Sequence, residues 1–305
     1  MNNTELQLLK IIADMEGVPQ GAYNIRSNGA LAERKVTENI DIKTKTDKQG
    51  IDVTVRSKTV GETMHIPVII SDSGVSEMVY NDFIIGDDCD IVIMAGCGIH
   101  NCGSGESRHD GIHSFFVGKN SKVKYIERHY GEGDGTGGRV MNPTTVIHLG
   151  EGSTLEMETT QIKGIDSTDR LTNAFLDNGA TLIIRENLMT HGDQIAKTDF
   201  TVDLNGENSS ANVVSRSVAR DNSYQEFRSR INGNNLCSGH TECDAIIMDK
   251  AKVCAIPEIT ANHIDASLIH EAAIGKIAGE QLTKLMTLGL TEQEAEEEIV
   301  NGFLK

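Results

Sequence analysis

The sequence has no tryptophan, and aromatic residues make up only 4% of its 305 positions. A groove that recognises sugars by stacking them on aromatic rings is therefore poorly supplied, which weighs against a carbohydrate lyase or hydrolase. Positive charge is also scarce: 28 Lys and Arg against 45 Asp and Glu leave a formal net charge of −17. A field of that sign repels phosphate backbones and anionic lipid, and the basic residues of 119–139 and 216–230 are scattered singly. Nucleic acid and membrane surfaces are thus not expected partners. No apolar run approaches the roughly 18 residues of a membrane span. The start MNNTELQLLKIIADMEG lacks the cationic and apolar regions of a secretory signal, so a cytoplasmic location is expected. Six cysteines are too few for a disulfide framework, and in a reducing compartment they pack or bind metal.

Several catalytic motifs are incomplete. GEGDGTGG (131–138) has the glycines of a phosphate cradle but no following Gly-Lys-Ser/Thr, so the chain is not itself a P-loop ATPase, and the segment reads as a loop. His270-Glu271 opens like a zinc-protease helix, yet Ile274 stands where the second histidine is required. GSG at 103–105 lacks the flanks of a nucleophile elbow.

What is present is a repeat. IGDDCDIVI (85–93), VGKNSKVKY (117–125), LGEGSTLEM (149–157) and LDNGATLII (176–184) share an aliphatic anchor, a Gly/Asp turn, a small residue four positions on, and alternating apolar residues; LNGENSSANVV is a looser copy. The anchors Ile85, Val117, Leu149, Leu176 and Leu204 are spaced 32, 32, 27 and 28 residues apart. This predicts a mainly β chain whose core is a parallel β-helix, with insertions pushed into its corners; a β-sandwich is the alternative that strand alternation alone leaves open. Before the core, Thr4 and Gln7 read as a capping pair for a helix over 5–15, and 22–60 as a few exposed strands. After it, Leu282, Leu285 and Met286 with a glycine stop at Gly289, then the Thr291/Glu294 capping box, predict two helices that cap the solenoid end or face a partner. The expected division is 1–60, 61–265 and 266–305.

Two patches carry ligand chemistry. AGCGIHNCGSGESRHDGIHSFF holds Cys97, His100, Cys102, His109 and His113, a set able to bind zinc or iron, or else a glycine-rich loop with structural cysteines and solvated histidines. The second runs from Cys237 through Cys243 and Cys254 to His270 and Glu271. Cys243 precedes His270 and Glu271 by 27 and 28 residues, about one turn of the repeat. On successive turns of one face, thiolate, imidazole and carboxylate would come together; otherwise Cys243 is a small buried hydrophobe.

TECDAIIM and HEAAIGKIAGEQLTKLMTLGLTEQEAEEEIVNGFLK resemble the SufB/SufD family, the scaffold proteins of iron–sulfur cluster assembly. The resemblance implies a right-handed parallel β-helix, homodimerisation through it, and docking of a separate SufC-like ABC-type ATPase on the C-terminal helices. It implies that Cys243, Glu271 and His270 hold an iron–sulfur cluster, [4Fe-4S] favoured, that passes to apo recipient proteins, with ATP hydrolysis in the partner and not in this chain. Carrying all three, the chain resembles SufB more than SufD, but without the long N-terminal extension of bacterial SufB and with Ile269 where an acidic residue is common. A metal-binding structural protein is the remaining alternative.

Overall fold

Side-chain alternation along the strands builds this molecule. The computed structural model describes residues 1–17 and 19–304. Its strands form two ten-stranded sheets, filled alternately as the chain winds through about eight turns of a β-solenoid. Among the described residues only two strand pairs are antiparallel, Ala22–Ser27 with Ala30–Lys35 and Ile40–Thr44 with Gly50–Val55; every later pairing is parallel. A Greek-key sandwich is built from antiparallel strands, so the parallel ladder decides between the two architectures. The repeat anchors are direct cross-strand partners: Ile85 lies beside Val117, Val117 beside Leu149, Leu149 beside Leu176 and Leu176 beside Leu204, all buried.

The corners follow from the template. Asp88, Asn120 and Asn208 adopt left-handed backbone, which Asn and Asp tolerate, and each precedes a buried small residue, Cys89, Ser121 or Ser209. The Ser209 hydroxyl donates to the Gly206 carbonyl of its own corner and the Ser121 hydroxyl to the Gly86 carbonyl of the preceding one, both at 2.7 Å, so the corners' polar groups are satisfied inside the stack. The longer repeats carry their extra residues in 101–106 and 133–138, which stack backbone on backbone: Gly137 N–H donates to the Gly103 carbonyl at 2.9 Å. A Cβ on Gly137 would sit 2.0 Å from the Gly105 oxygen, which is why glycine recurs there. The first of these glycine-rich segments is short, because Cys97, His109 and His113 belong to the strands Asp90–His100 and Ser107–Val117 on either side of it.

Helix α1 (Asn3–Ala13) is capped by Asn2 and Glu5 rather than by Thr4 and Gln7: the Asn2 side chain accepts from Glu5 N–H at 2.9 Å and the Glu5 carboxylate from Asn2 N–H at 2.8 Å. It seats on the outer face of the strand Asp90–His100, where a Cβ on Gly96 would meet the Ile12 carbonyl at 2.7 Å. The strands of 22–60 are also less exposed than expected, since Ile40, Ile42, Ile51, Val53 and Val55 enter the main core. At the other end, α2 (Gly279–Thr287) and α3 (Glu292–Phe303) follow the last strand, Ala266–Gly275, and the Thr291/Glu294 box forms as the sequence predicts. Helix α3 does not plug the solenoid. Its Val300 packs sideways on Val218 and Met248, leaving the inner faces of the last strands half open.

The lumen is apolar in part, with Phe83 stacked on Phe115 at 4.7 Å and Tyr125 edge-on to Phe115 at 5.0 Å. Its middle is charged. Arg170, 4% exposed, donates to Glu127 at 2.6 Å and lies 3.8 Å from Glu186. Burial alone would raise the Glu127 carboxyl, but the Arg170 guanidinium and His129 hold it well below the usual carboxylate range. Burial also pushes the His113 imidazole down to about 4, so it is neutral at pH 7. Replacing Arg170→Met leaves two buried carboxylates without their shared cation. Urea unfolding should lose about 3–5 kcal/mol against the parent, and an unchanged midpoint would contradict this account of the lumen.

Candidate metal centre at the open end of the solenoid

The strand Cys237–Ile247 and the last strand, Ala266–Gly275, are parallel neighbours, with Thr241 beside His270, Glu242 beside Glu271 and Cys243 beside Ala272. Successive residues of a strand point to opposite faces. Thr241 and Cys243 therefore face the lumen, and His240, Glu242 and Asp244 face outward. His270 continues the inward column above Thr241, while Glu271 continues the outward column above Glu242.

The three residues expected to converge are thus on adjacent strands but not at one point. Cys243 and His270 lie on the lumen side and Glu271 on the outer surface, since neighbours in a strand cannot both face the same thiol. The spacing of 27 and 28 residues suggested one turn, but the register offset is 29, pairing Cys243 with Ala272. One residue of slip exchanges the faces.

Cys243 is 1% exposed and lies in a lumen column that runs in register through Glu127, Thr159, Glu186, Ser215 and Cys243 to Ala272. Ser215 donates to Glu186 at 2.7 Å. Burial, with Glu186 and Asp244 nearby, pushes the Cys243 thiol up to about 12, so it stays protonated at neutral pH. Only one strand separates it from the open end. Burial holds the His270 imidazole below its usual value, and its buried Nδ1 has no hydrogen-bond partner among the described residues.

On the outer face, His240, Glu242 and Glu271 place one donor atom each within 4.8 Å of one another, and His240 Nε2 is 3.5 Å from a Glu271 oxygen. A hydrogen bond with Asp244 raises the Glu242 carboxyl above the usual range. Two carboxylates and an imidazole suit a divalent first-row ion such as iron(II). Sequence reasoning missed His240 and Glu242. Their signal was the alternation H-T-E-C, which marks them as one face once the register with Glu271 is known. Of the other cysteines, Cys237 is buried in the core, Cys254 is half-buried, and Cys102 is exposed, 3.0 Å from His100 Nε2.

The family model described as SUF system FeS cluster assembly, SufBD core domain, matches residues 70–303. An iron–sulfur cluster assembly SufBD family protein of Methanocaldococcus jannaschii is 31% identical over 243 residues, covering 79% of this chain and 76% of its own length. Relatives of the same description from Archaeoglobus fulgidus and Methanothermobacter thermautotrophicus are 30% and 28% identical; this chain spans 61% and 57% of their lengths. No helix among the described residues is long and apolar enough to cross a membrane. With most of the solenoid core inside the matched span and ligand-bearing strands at its end, the chain belongs to the SufBD family of iron–sulfur cluster assembly proteins.

Proposed function

We propose that this chain is a non-catalytic, SufB-type scaffold on which an iron–sulfur cluster, [4Fe-4S] favoured, is built and then passed to apo recipient proteins. The reading is carried by family membership together with the position of Cys243, one strand below the open end of the lumen. In the resting subunit the thiol is protonated and covered. Displacing the last strand would hydrate it and lower its pKa, making a thiolate that holds iron. His240, Glu242 and Glu271 would hold iron(II) at the rim with weaker nitrogen and oxygen donors, and His270 would join from the lumen side. A mixed set of this kind suits a cluster that must leave.

Displacement needs work, and we assign it to an ABC-type ATPase docked on the C-terminal helices. Support comes from α2, which buries none of its residues and leaves Met286 exposed, with Leu288 just beyond it 76% exposed, an unusual expense of apolar surface for a free helix. Because only residues 276–278 separate α2 from the last strand, Ala266–Gly275, a pull on these helices is carried along the chain to the strand that lies over Cys243. Self-association as a homodimer is supported at the open end. There the strands Lys252–Ala261 and Ala266–Gly275 present free edges, and Ile259, Ile264, Ile269 and Ile274 are exposed.

Anaerobic reconstitution with iron and sulfide should give a sulfide-to-iron charge-transfer band that is abolished by Cys243→Ser and weakened several-fold by Glu271→Gln; retention of the full band in Cys243→Ser would sink the site. Met286→Glu with Leu288→Glu should abolish co-purification with a SufC-like ATPase at an unchanged melting temperature, as both residues are exposed, and persistent capture would move docking elsewhere. Ile264→Glu with Ile269→Lys should shift the mass measured by light scattering from dimer to monomer. A dimer that survives both charges places its interface elsewhere.

A further inference from the structure

The rim ligands are divided between two strands. His240 and Glu242 stand on the strand Cys237–Ile247, whereas Glu271 stands on the last strand, Ala266–Gly275, beside Glu242 in register. That last strand is weakly secured. It pairs on one side only, its other edge is bare, and its inner face is half open. It nevertheless lies over Cys243, whose register partner is Ala272 and which stays 1% exposed.

The donor atoms meet across this seam. One atom from each of His240, Glu242 and Glu271 lies within 4.8 Å of the other two, and His240 Nε2 is 3.5 Å from Glu271 Oε2. On the neighbouring strand Ser209–Ala219, the Asn212 carboxamide oxygen accepts from His240 Nδ1–H at 3.1 Å. An amide oxygen can only accept, so in the neutral ring the lone pair is on Nε2, turned toward the Glu271 carboxylate. Such an outer hydrogen bond fixes the tautomer and the ring plane, as a metal-binding histidine requires. A lone pair and two carboxyl groups facing one point are satisfied together by a shared cation. Further along the seam, Asp244 Oδ1 accepts from Ala273 N–H at 3.2 Å, a second side-chain tie between the same two strands.

We infer that one divalent first-row cation, iron(II) in the working protein, latches the last strand when it is bound by His240 Nε2, Glu242 and Glu271. The bound ion holds Cys243 covered, and it is itself loosened when that strand moves. Both effects belong to one equilibrium. A ligand that binds only the closed arrangement favours it by the factor 1 + [L]/Kd, and by linkage an opening that carries Glu271 away weakens the grip on the metal to the same extent. Iron is thus freed from the rim as the thiol behind it becomes hydrated. The inference rests on the rim being the iron(II) site of the proposed function, and it adds an order of events, with nitrogen and oxygen holding the metal first and sulfur second.

Manganese(II) is the probe, because it favours oxygen donors over thiolate. Titrated into the full chain, it should lose its free-ion paramagnetic resonance signal up to one equivalent. With manganese(II) at about ten times its dissociation constant, amide hydrogen exchange over 266–275 and alkylation of Cys243, both read by peptide mass spectrometry, should slow about tenfold. Neither the His240 nor the Glu271 side chain is buried, so His240→Ala and Glu271→Gln should leave circular dichroism unchanged while weakening manganese uptake about tenfold or more and removing the protection. Cys243→Ser should keep both uptake and amide protection, although it is the variant expected to lose the charge-transfer band, so latch and cluster holding are read separately. Uptake with exchange and alkylation unchanged would overturn the latch while leaving the rim site standing. Absence of uptake by the parent, or uptake lost in Cys243→Ser, would overturn both. Protection undiminished in Glu271→Gln would overturn the latch equally.

Discussion

Strict two-residue alternation, held in register from turn to turn by parallel hydrogen bonding, is the constraint on which this structure depends. It makes each inward position a column running the length of the solenoid and each outward position a row on its surface. Anchors, corners, charged lumen and open-end site are all consequences of which column a residue joins. Ile85 to Leu204 form one such column and the series from Glu127 to Cys243 another. The same rule separates His270 from Glu271 although they are adjacent in sequence.

A solenoid this narrow has no second layer behind which to place charge, so polar residues that enter must find partners in neighbouring turns. Arg170 bridging Glu127 and Glu186, and Arg26 paired with Glu77, are such solutions. Cys243 uses the same enclosure differently. Its burial, with Glu186 and Asp244 nearby, keeps sulfur and proton together at neutral pH. A permanently exposed thiolate in an iron-handling protein would be open to oxidation.

The fold was legible because its signal is repetitive. Five anchors with a shared turn chemistry outweigh any single strand assignment, and the second capping box, Thr291 with Glu294, stands as read. The first helix cap was not, because Asn2 and Thr4 are both competent and only tertiary placement chooses between them. The site was half legible. Residue types pointed to two strands that the fold makes neighbours, but ligand geometry depends on register, and corners of variable length conceal a shift of one residue. For the same reason the Cys97 patch looked like one cluster, when alternation sends His109 and His113 inward and the turn leaves Cys102 outside.

The two ends of the solenoid are chemically unlike. At the beginning, both sheets terminate in antiparallel hairpins whose outermost strands carry Glu33, Arg34 and Lys35, or Asp41 and Lys43. Charged, reversed strands are poor templates for continued pairing. At the far end the edges are bare and the isoleucines uncovered. Pairing of two copies through the open ends, as proposed above, would cover both bare edges, leave only the charged ends outermost and so halt growth. Polarity of this kind guards a stack of parallel strands against running on into a fibre.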